Sequence, residues 1–326
     1  MNIKGIARIA LLAAVTSVAG QVALAQEQLS IGSTAATSPF YGYFVSVANI
    51  INDKVEGAQA SVVESGASIE NLKRIGRGQM DMGLITTNSL ADAYNGIGAF
   101  EDAPVKSKLL WVYFTAPQMT FVSADSDITT LEQLEGTKFH TGMRGSSTEA
   151  TTDAVLKSLG ITVEPFRSGG PDADDAFKDG RIVGLTSSSM GPKLSASQID
   201  LNSSVGLKPI NLTDEQVAMV RKNHPQLSIV DIPAGAGDGL PAFTTWAFAL
   251  GTSAGADMSE ETAYQIVKAV MENRQPQTNA MKSTGTVDFA EATLKYATSP
   301  LHPGAIRYLR EIGMDVPENL IAEEDR

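Results

Sequence analysis

Short apolar runs alternate with amphipathic segments along most of the chain. The alternation restarts near residue 131, with a short helix, a strand at 138–140, a helix at 148–159 and a strand at 182–185. Each strand leads through small or polar residues into a helix, which predicts an α/β protein with parallel sheets. In the first 95 residues, strands are predicted at 28–32, 60–63 and 81–85, and helices at 40–55 and 69–76. The polar stretch 86–89 follows the third strand as a loop and leads into a third helix that runs through Tyr94.

Two long β-rich stretches divide the chain. The first, 109–122, has Pro117 at its centre, which a central strand of one sheet rejects but a strand crossing between two domains tolerates. The second is Phe243–Leu250. We therefore expect one lobe from residues 27–115 and 242–326, and a second lobe from residues 116–241 inserted between them. Two crossings of this kind predict a hinge and a cleft.

The N-terminus predicts export. Lys4 and Arg8 precede an apolar stretch, and Ala23-Leu-Ala25 supplies the small residues of a cleavage site, so residues 1–25 are typical of a cleaved signal peptide. We expect the mature protein in the periplasm. Loss of these two cations would change the net charge from −12 to −14.

Composition narrows the function. Cysteine is absent and the three histidines are far apart in sequence, so neither a zinc site nor a cysteine nucleophile is predicted. No cofactor or metal is expected. The acidic surface repels nucleic acid and anionic lipid. An anionic ligand would therefore need local positive charge in its pocket.

Five stretches together resemble the TAXI-type solute receptors of tripartite ATP-independent periplasmic (TRAP) transporters. The resemblance spans nearly the whole mature chain, and it is carried by 31–41, 64–72, 78–96, 142–149 and 301–308. It implies a type II periplasmic-binding-protein fold, with two α/β lobes joined by crossing hinge strands and a ligand cleft between them. It also implies a monomer that delivers a small organic acid, such as glutamate or 2-oxoglutarate, to membrane permease subunits.

The predicted ligand contacts follow from the strand ends of such a fold. Ligands bind beyond the carboxyl ends of strands, where helix N-termini favour an anion. The hydroxyl and amide residues in these loops have a second possible role as helix caps. The predicted contacts of this type are Ser33, Thr34, Ser65, Ser68, Thr86, Thr87, Asn88, Ser146, Ser147, Thr148 and Ser187.

Arg144 is the charged candidate, because it lies in a glycine- and serine-rich loop before a helix and an arginine holds a carboxylate with two hydrogen bonds. The alternative is a solvated arginine paired with Glu149. Arg167 is a second candidate. Tyr41 is preferred to Phe40 as the aromatic contact, since core packing is the common role of phenylalanine. The sequence departs from the family pattern in the loops at 33–37, at 86–88 and at 144–147, which leaves the ligand's identity open.

Two other functions are alternatives to transport. The hydrolase motif Gly-x-Ser-x-Gly is absent and no histidine is placed near a serine by sequence, so an enzyme is not predicted. A receptor that reports its ligand to a membrane sensor kinase uses the same fold and stays open as an alternative.

Overall fold

A computed structural model describes residues 26–36, 38–189 and 191–326. The predicted signal peptide lies outside these residues. Within them the chain forms ten strands and eleven α-helices. The strands are β1 (Glu27–Gly32), β2 (Ala58–Val63), β3 (Met82–Thr86), β4 (Lys108–Ser123), β5 (Lys138–His140), β6 (Glu164–Pro165), β7 (Gly184–Ser188), β8 (Leu207–Pro209), β9 (Ser228–Ile232) and β10 (Phe243–Ala254). The helices are α1 (Pro39–Lys54), α2 (Ser68–Ile75), α3 (Thr87–Asn95), α4 (Ser147–Ser158), α5 (Gly170–Lys178), α6 (Ala196–Val205), α7 (Asp214–Asn223), α8 (Glu260–Glu272), α9 (Arg274–Ala280), α10 (Phe289–Tyr296) and α11 (Pro303–Glu311).

The strands form two α/β lobes that share one continuous sheet. The main strand order is β2-β1-β3-β10-β4-β7-β5-β6, with β8 paired to β4 and β9 paired to β10. Pairing is parallel among β1, β2 and β3 and among β5, β6 and β7, as the strand–helix alternation predicts. It is antiparallel wherever β4 or β10 takes part, so the sheet is mixed rather than wholly parallel.

The long strands β4 and β10 carry the chain between the lobes. Residues 108–117 of β4 pair with β10, whereas residues 118–122 pair with β7 of the second lobe. Pro117 lies at this change of partner, where its missing N–H removes no bond from an uninterrupted ladder. Its carbonyl accepts a hydrogen bond from the Ser189 N–H at 3.1 Å. The lobe limits 27–115, 242–326 and 116–241 stay a prediction.

Aromatic side chains hold the first lobe against the crossing strands. Trp111 and Tyr113 of β4 are fully buried, as is Tyr43 of α1. The rings of Tyr43 and Tyr113 stack with centroids 4.4 Å apart, and the Trp111 indole N–H donates to the Tyr43 hydroxyl at 3.1 Å. Each such side chain removes a large apolar area from water, so the hinge strand is anchored at this end.

The segment between β7 and β10 contains elements that the apolar pattern did not predict. Helices α6 and α7 both begin with a capping box, in which Ser195 pairs with Gln198 and Thr213 pairs with Gln216. Both helices bury little apolar surface, so the periodic signal is weak there. None of the helices in the described ranges combines the length and apolar character needed to cross a bilayer.

Candidate functional site

A cavity of about 400 Å³ lies between the two lobes, at the carboxyl ends of their parallel strands. This is the position at which open α/β sheets bind ligands, and the volume is within the range of small-molecule sites. Its lining draws on both lobes and on β10: Thr34, Ala35, Ser38, Phe40, Ala67, Ser68, Leu84, Thr86, His140, Met143, Ser146, Ser147, Thr148, Gly170, Pro171, Ala173, Asp174, Leu185, Thr186, Ser187, Ser188, Ser195, Ser197, Phe248 and Leu250.

The first turns of five helices contribute to this lining. They belong to α1 and α2 of the first lobe and to α4, α5 and α6 of the second. The N–H groups of a helix's first turn have no acceptor within the helix, and the helix dipole gives this end a partial positive charge. The cavity is therefore suited to an anionic group without a charged side chain.

Hydroxyl groups join the two lobes beside the cavity. Ser147, at the start of α4, lies 2.6 Å from the hydroxyl of Thr86 and 2.6 Å from that of Ser89. Ser68 fixes this arrangement from the first lobe, because its hydroxyl accepts the Thr86 N–H at 2.9 Å. One step further along the helices, the Asn88 amide donates to the Thr151 hydroxyl at 2.8 Å. These bonds form only when the lobes are together.

His140 and Asp174 are the ionisable side chains of the lining. His140 ends β5, and its Nδ1 lies 2.8 Å from the carbonyl of Phe166. A carbonyl only accepts, so Nδ1 carries a proton. Burial raises the pKa of Asp174, although the Ser197 hydroxyl donates to its carboxylate at 2.6 Å. Neither lysine nor arginine is among the described lining residues.

The buried hydroxyl of Thr34, in the cavity lining, has no hydrogen-bond partner among the described residues. The residue is 7% exposed. Nearby, Ala67 has φ of 78°, a conformation that costs a non-glycine residue energy. Unpaired buried groups and strained residues cluster at ligand sites, so both features favour a site at this end.

Seven of the predicted contacts lie in the lining. They come from five segments that are distant in sequence, and the fold brings them together around one cavity. They are Thr34, Ser68, Thr86, Ser146, Ser147, Thr148 and Ser187. Three of these also have the capping or bracing role that was the alternative: the Ser146 hydroxyl accepts the Glu149 N–H, Ser68 holds Thr86, and Ser187 accepts from Gln198 at 2.8 Å.

The two arginines lie outside the lining. Arg144 is exposed, and its backbone N–H donates to the carbonyl of Ser168 at 3.0 Å. Its neighbour Met143 lines the cavity instead. Arg167 pairs with Glu149 at 2.5 Å and with Asp153 at 2.9 Å. The partner of Glu149 is thus Arg167 rather than Arg144.

The other five predicted contacts also lie outside the lining, and four of them brace it. Ser65 donates to the carbonyl of fully buried Ser33 at 2.7 Å, which fixes the loop before α1. Thr87 and Asn88 are already in α3 rather than in a loop. The Thr87 hydroxyl accepts the Ala249 N–H at 3.4 Å. Tyr41 lies outside, and the lining aromatic of α1 is Phe40.

Of the lining residues missed by the sequence reasoning, two carry a signal in the sequence that could have identified them. His140 ends a strand that was predicted correctly, and the strand-end rule applied to it would have found it. Ser195 begins a capping box, which marks a helix N-terminus. Phe248 and Leu250 sit on the crossing strand β10 and face the cavity, and Asp174 lies within α5. Only the assembled fold relates these three to the site.

The comparisons with known proteins agree with this architecture. The profile of the NMT1-like family matches residues 31–313. Among solved structures, XAC2383 from Xanthomonas citri, solved bound to chloride ion, has a TM-score of 0.52 and 12% identity, over 87% of this chain and 95% of that one. The periplasmic binding protein BugD has a TM-score of 0.52 and 11% identity, over 88% of this chain and 94% of that one. A TctC solute binding protein from Polaromonas has a TM-score of 0.50 and 16% identity, over 88% of this chain and 98% of that one. The fold is therefore that of the periplasmic binding proteins.

Proposed function

We propose, from the premise that the chain belongs to the NMT1-like family, that it is a solute receptor which captures a small organic acid, a carboxylate or amino acid, between its lobes. The observation that carries the proposal is the convergence of five helix N-termini from both lobes on one cavity of about 400 Å³. In that arrangement an anion gains from both lobes only when they are closed.

The lining suggests how such a ligand is held. Its anionic group would accept hydrogen bonds from first-turn N–H groups and from hydroxyls such as those of Thr34 and Thr148. Phe40, Phe248 and Leu250 would cover its apolar part. With water excluded, each polar contact strengthens. Of the predicted contacts, we keep as ligand contacts the seven that line the cavity.

The wider setting follows from the TAXI resemblance and the leader sequence. We expect the mature protein in the periplasm, where it would hand its ligand to the permease subunits of a TRAP transporter, an importer driven by an ion gradient. The permease would recognise the shut form. No catalytic step is part of this proposal.

A thermal-shift screen tests it directly. The mature protein is unfolded and refolded to remove carried-over ligand. It is then mixed with compounds that carry a carboxylate, such as glutamate and 2-oxoglutarate, and with neutral compounds that carry none, such as the diamide of 2-oxoglutarate and a neutral sugar. A ligand at about 100 times its dissociation constant adds about 2.7 kcal/mol of stability. Stabilisation by acids alone supports the proposal. Stabilisation only by neutral compounds would contradict the proposal that the ligand is an anion. No stabilisation by any compound would contradict the proposal that the protein is a receptor for this class of ligand.

A further inference from the structure

A second cavity, of about 780 Å³, also lies between the lobes, on the other side of the α3–α4 contact. One wall is formed by α3 and the turn that follows it at 97–100, and the other by α4 and the segment 223–227. The Asn88–Thr151 bond joins residues of the two walls. We call this cavity the interlobe groove. It has no part in the proposed capture of an organic acid.

The groove contains a carboxylate with nothing to balance it. Asp92 is half-buried, and no hydrogen bond or ion pair to its carboxylate is found among the described residues. Lysine and arginine are missing from the described lining. Burial lowers the pKa of the other ionisable lining residue, His224, and so disfavours a positive charge on its ring.

The surroundings of Asp92 make its charge costly. It lies in the C-terminal half of α3, where the helix dipole disfavours a negative charge. Burial raises the pKa of Asp92 to about 6, so the carboxylate is charged at pH 7 at a cost to the fold. An asparagine would avoid this cost, and stability therefore does not account for the aspartate.

A second acceptor in the groove is also unsatisfied. Asn88 is 4% exposed and uses its NH₂ group on Thr151, while its Oδ1 has no donor in the described part of the chain. A buried acceptor without a donor costs free energy that a ligand carrying N–H groups would recover. Apolar residues, among them Phe100 and Leu227, border the same space and suit an alkyl chain.

We propose that the interlobe groove is a second binding site, which takes an organic cation, a guanidinium or primary ammonium group on an alkyl chain, with its N–H groups directed to Asp92 and Asn88. Two sources share this chemistry: a small free cation and a basic side chain of a partner protein. Because the groove is built from both lobes, a cation bound there favours the same shut form as a ligand in the cleft. Occupancy of either site should then strengthen the other.

The test uses the ligand-free, full-length mature protein and amide chemical shifts in α3 and 223–227. The probes are N-acetylarginine amide, its neutral isostere N-acetylcitrulline amide, and agmatine. The variants are Asp92→Asn and, as a matched control, Glu101→Gln, which removes one nearby negative charge at an exposed residue outside the groove lining.

We expect both cations to shift these resonances saturably. Asp92→Asn should weaken the affinity for both cations by at least about ten-fold, as expected for loss of a charge-assisted hydrogen bond. Glu101→Gln should weaken it by less than about two-fold. Tighter binding of the blocked arginine identifies a protein side chain as the natural occupant, and tighter binding of agmatine identifies a free cation. The proposal is overturned if citrulline binds as well as arginine, or if the two variants behave alike. The probe affinities and the comparison of the two variants are both measured without an acid in the cleft, so their outcome does not depend on the proposed function.

Discussion

Replacing Thr34 by valine should change ligand affinity and stability in opposite directions. Thr34 lines the cleft cavity and is 7% exposed, and its hydroxyl has no partner in the described residues. Valine has nearly the same shape but lacks the hydroxyl. Without ligand, burial of an unpaired hydroxyl costs about 1–3 kcal/mol. Because this one borders a cavity that water can enter, we expect Thr34→Val to raise the free energy of unfolding by only about 1 kcal/mol.

The effect on binding has the other sign. A hydrogen bond from Thr34 to a neutral group contributes about 0.5–1.5 kcal/mol, and one to a charged group about 1.5–3 kcal/mol. For the acid that gives the largest thermal shift, the substitution should therefore raise the dissociation constant by about 2-fold to about 150-fold. Values near the upper end would indicate that the hydroxyl contacts the carboxylate itself.

The assay combines urea denaturation with calorimetric titration, and Thr152→Val is its control. Thr152 is fully buried in α4 and its hydroxyl also has no described partner, but the residue is not in the lining. Because Thr152 borders no part of this cavity, the control should gain at least as much stability, about 1–3 kcal/mol, and keep its affinity. Equal affinity in wild type and Thr34→Val, or an equal loss in both variants, would refute the reasoning.

Three further predictions concern charge and backbone. Arg144→Ala should leave calorimetric affinity unchanged, since the side chain is exposed and outside the cavity, whereas a loss of about 1.5–3 kcal/mol would show that ligand draws Arg144 into the cleft. Burial raises the pKa of Asp92 from 3.8 to about 6, so between these values the folded protein holds a proton that the unfolded chain releases. The contribution of Asp92 to the unfolding free energy should accordingly fall by at most about 3 kcal/mol from pH 4 to 7. In urea titrations, wild type minus Asp92→Asn should show this fall, and an identical pH dependence in the two proteins would contradict it. Gly142→Ala should destabilise by about 3 kcal/mol, because φ is 138° and a Cβ would lie 2.4 Å from the Glu149 nitrogen, while Gly145→Ala (φ 76°, open space) should cost about 1 kcal/mol; similar losses in denaturation would reject the close-approach argument.

The fold could be predicted where local pattern and burial agree. The helices α1, α4 and α8 have apolar faces and ordinary caps, and the proline in β4 signals a crossing strand. The mixed pairing of the sheet was not predictable from strand–helix alternation, because the direction of β10 beside β3 depends on the return of the chain from the second lobe. Alternation describes neighbours along the chain, whereas pairing is decided between elements far apart.

The hydroxyl-bearing loops of the candidate site were predicted from the sequence, but the source of its positive charge was not. Hydroxyl residues at strand ends are found by a positional rule, and seven of them line the cavity. Whether an arginine in such a loop points inward depends on side-chain partners, and Arg167 already occupies Glu149 and Asp153 beside that loop. The helix N-termini that replace an arginine come from separate elements, so their convergence is a property of the assembled lobes.

Among the described lining residues there is no lysine or arginine, so helix N-termini supply the positive character of the cleft, and this affects the rate at which a ligand is captured. That field fades within about one helical turn, whereas the net charge of the chain, −12, acts over a Debye length of about 10 Å at 0.1 M salt. An approaching anion is thus repelled at long range and attracted only on arrival. Added salt should raise its association rate constant and leave the dissociation rate constant nearly unchanged, the reverse of the usual electrostatic steering of a ligand into an oppositely charged site.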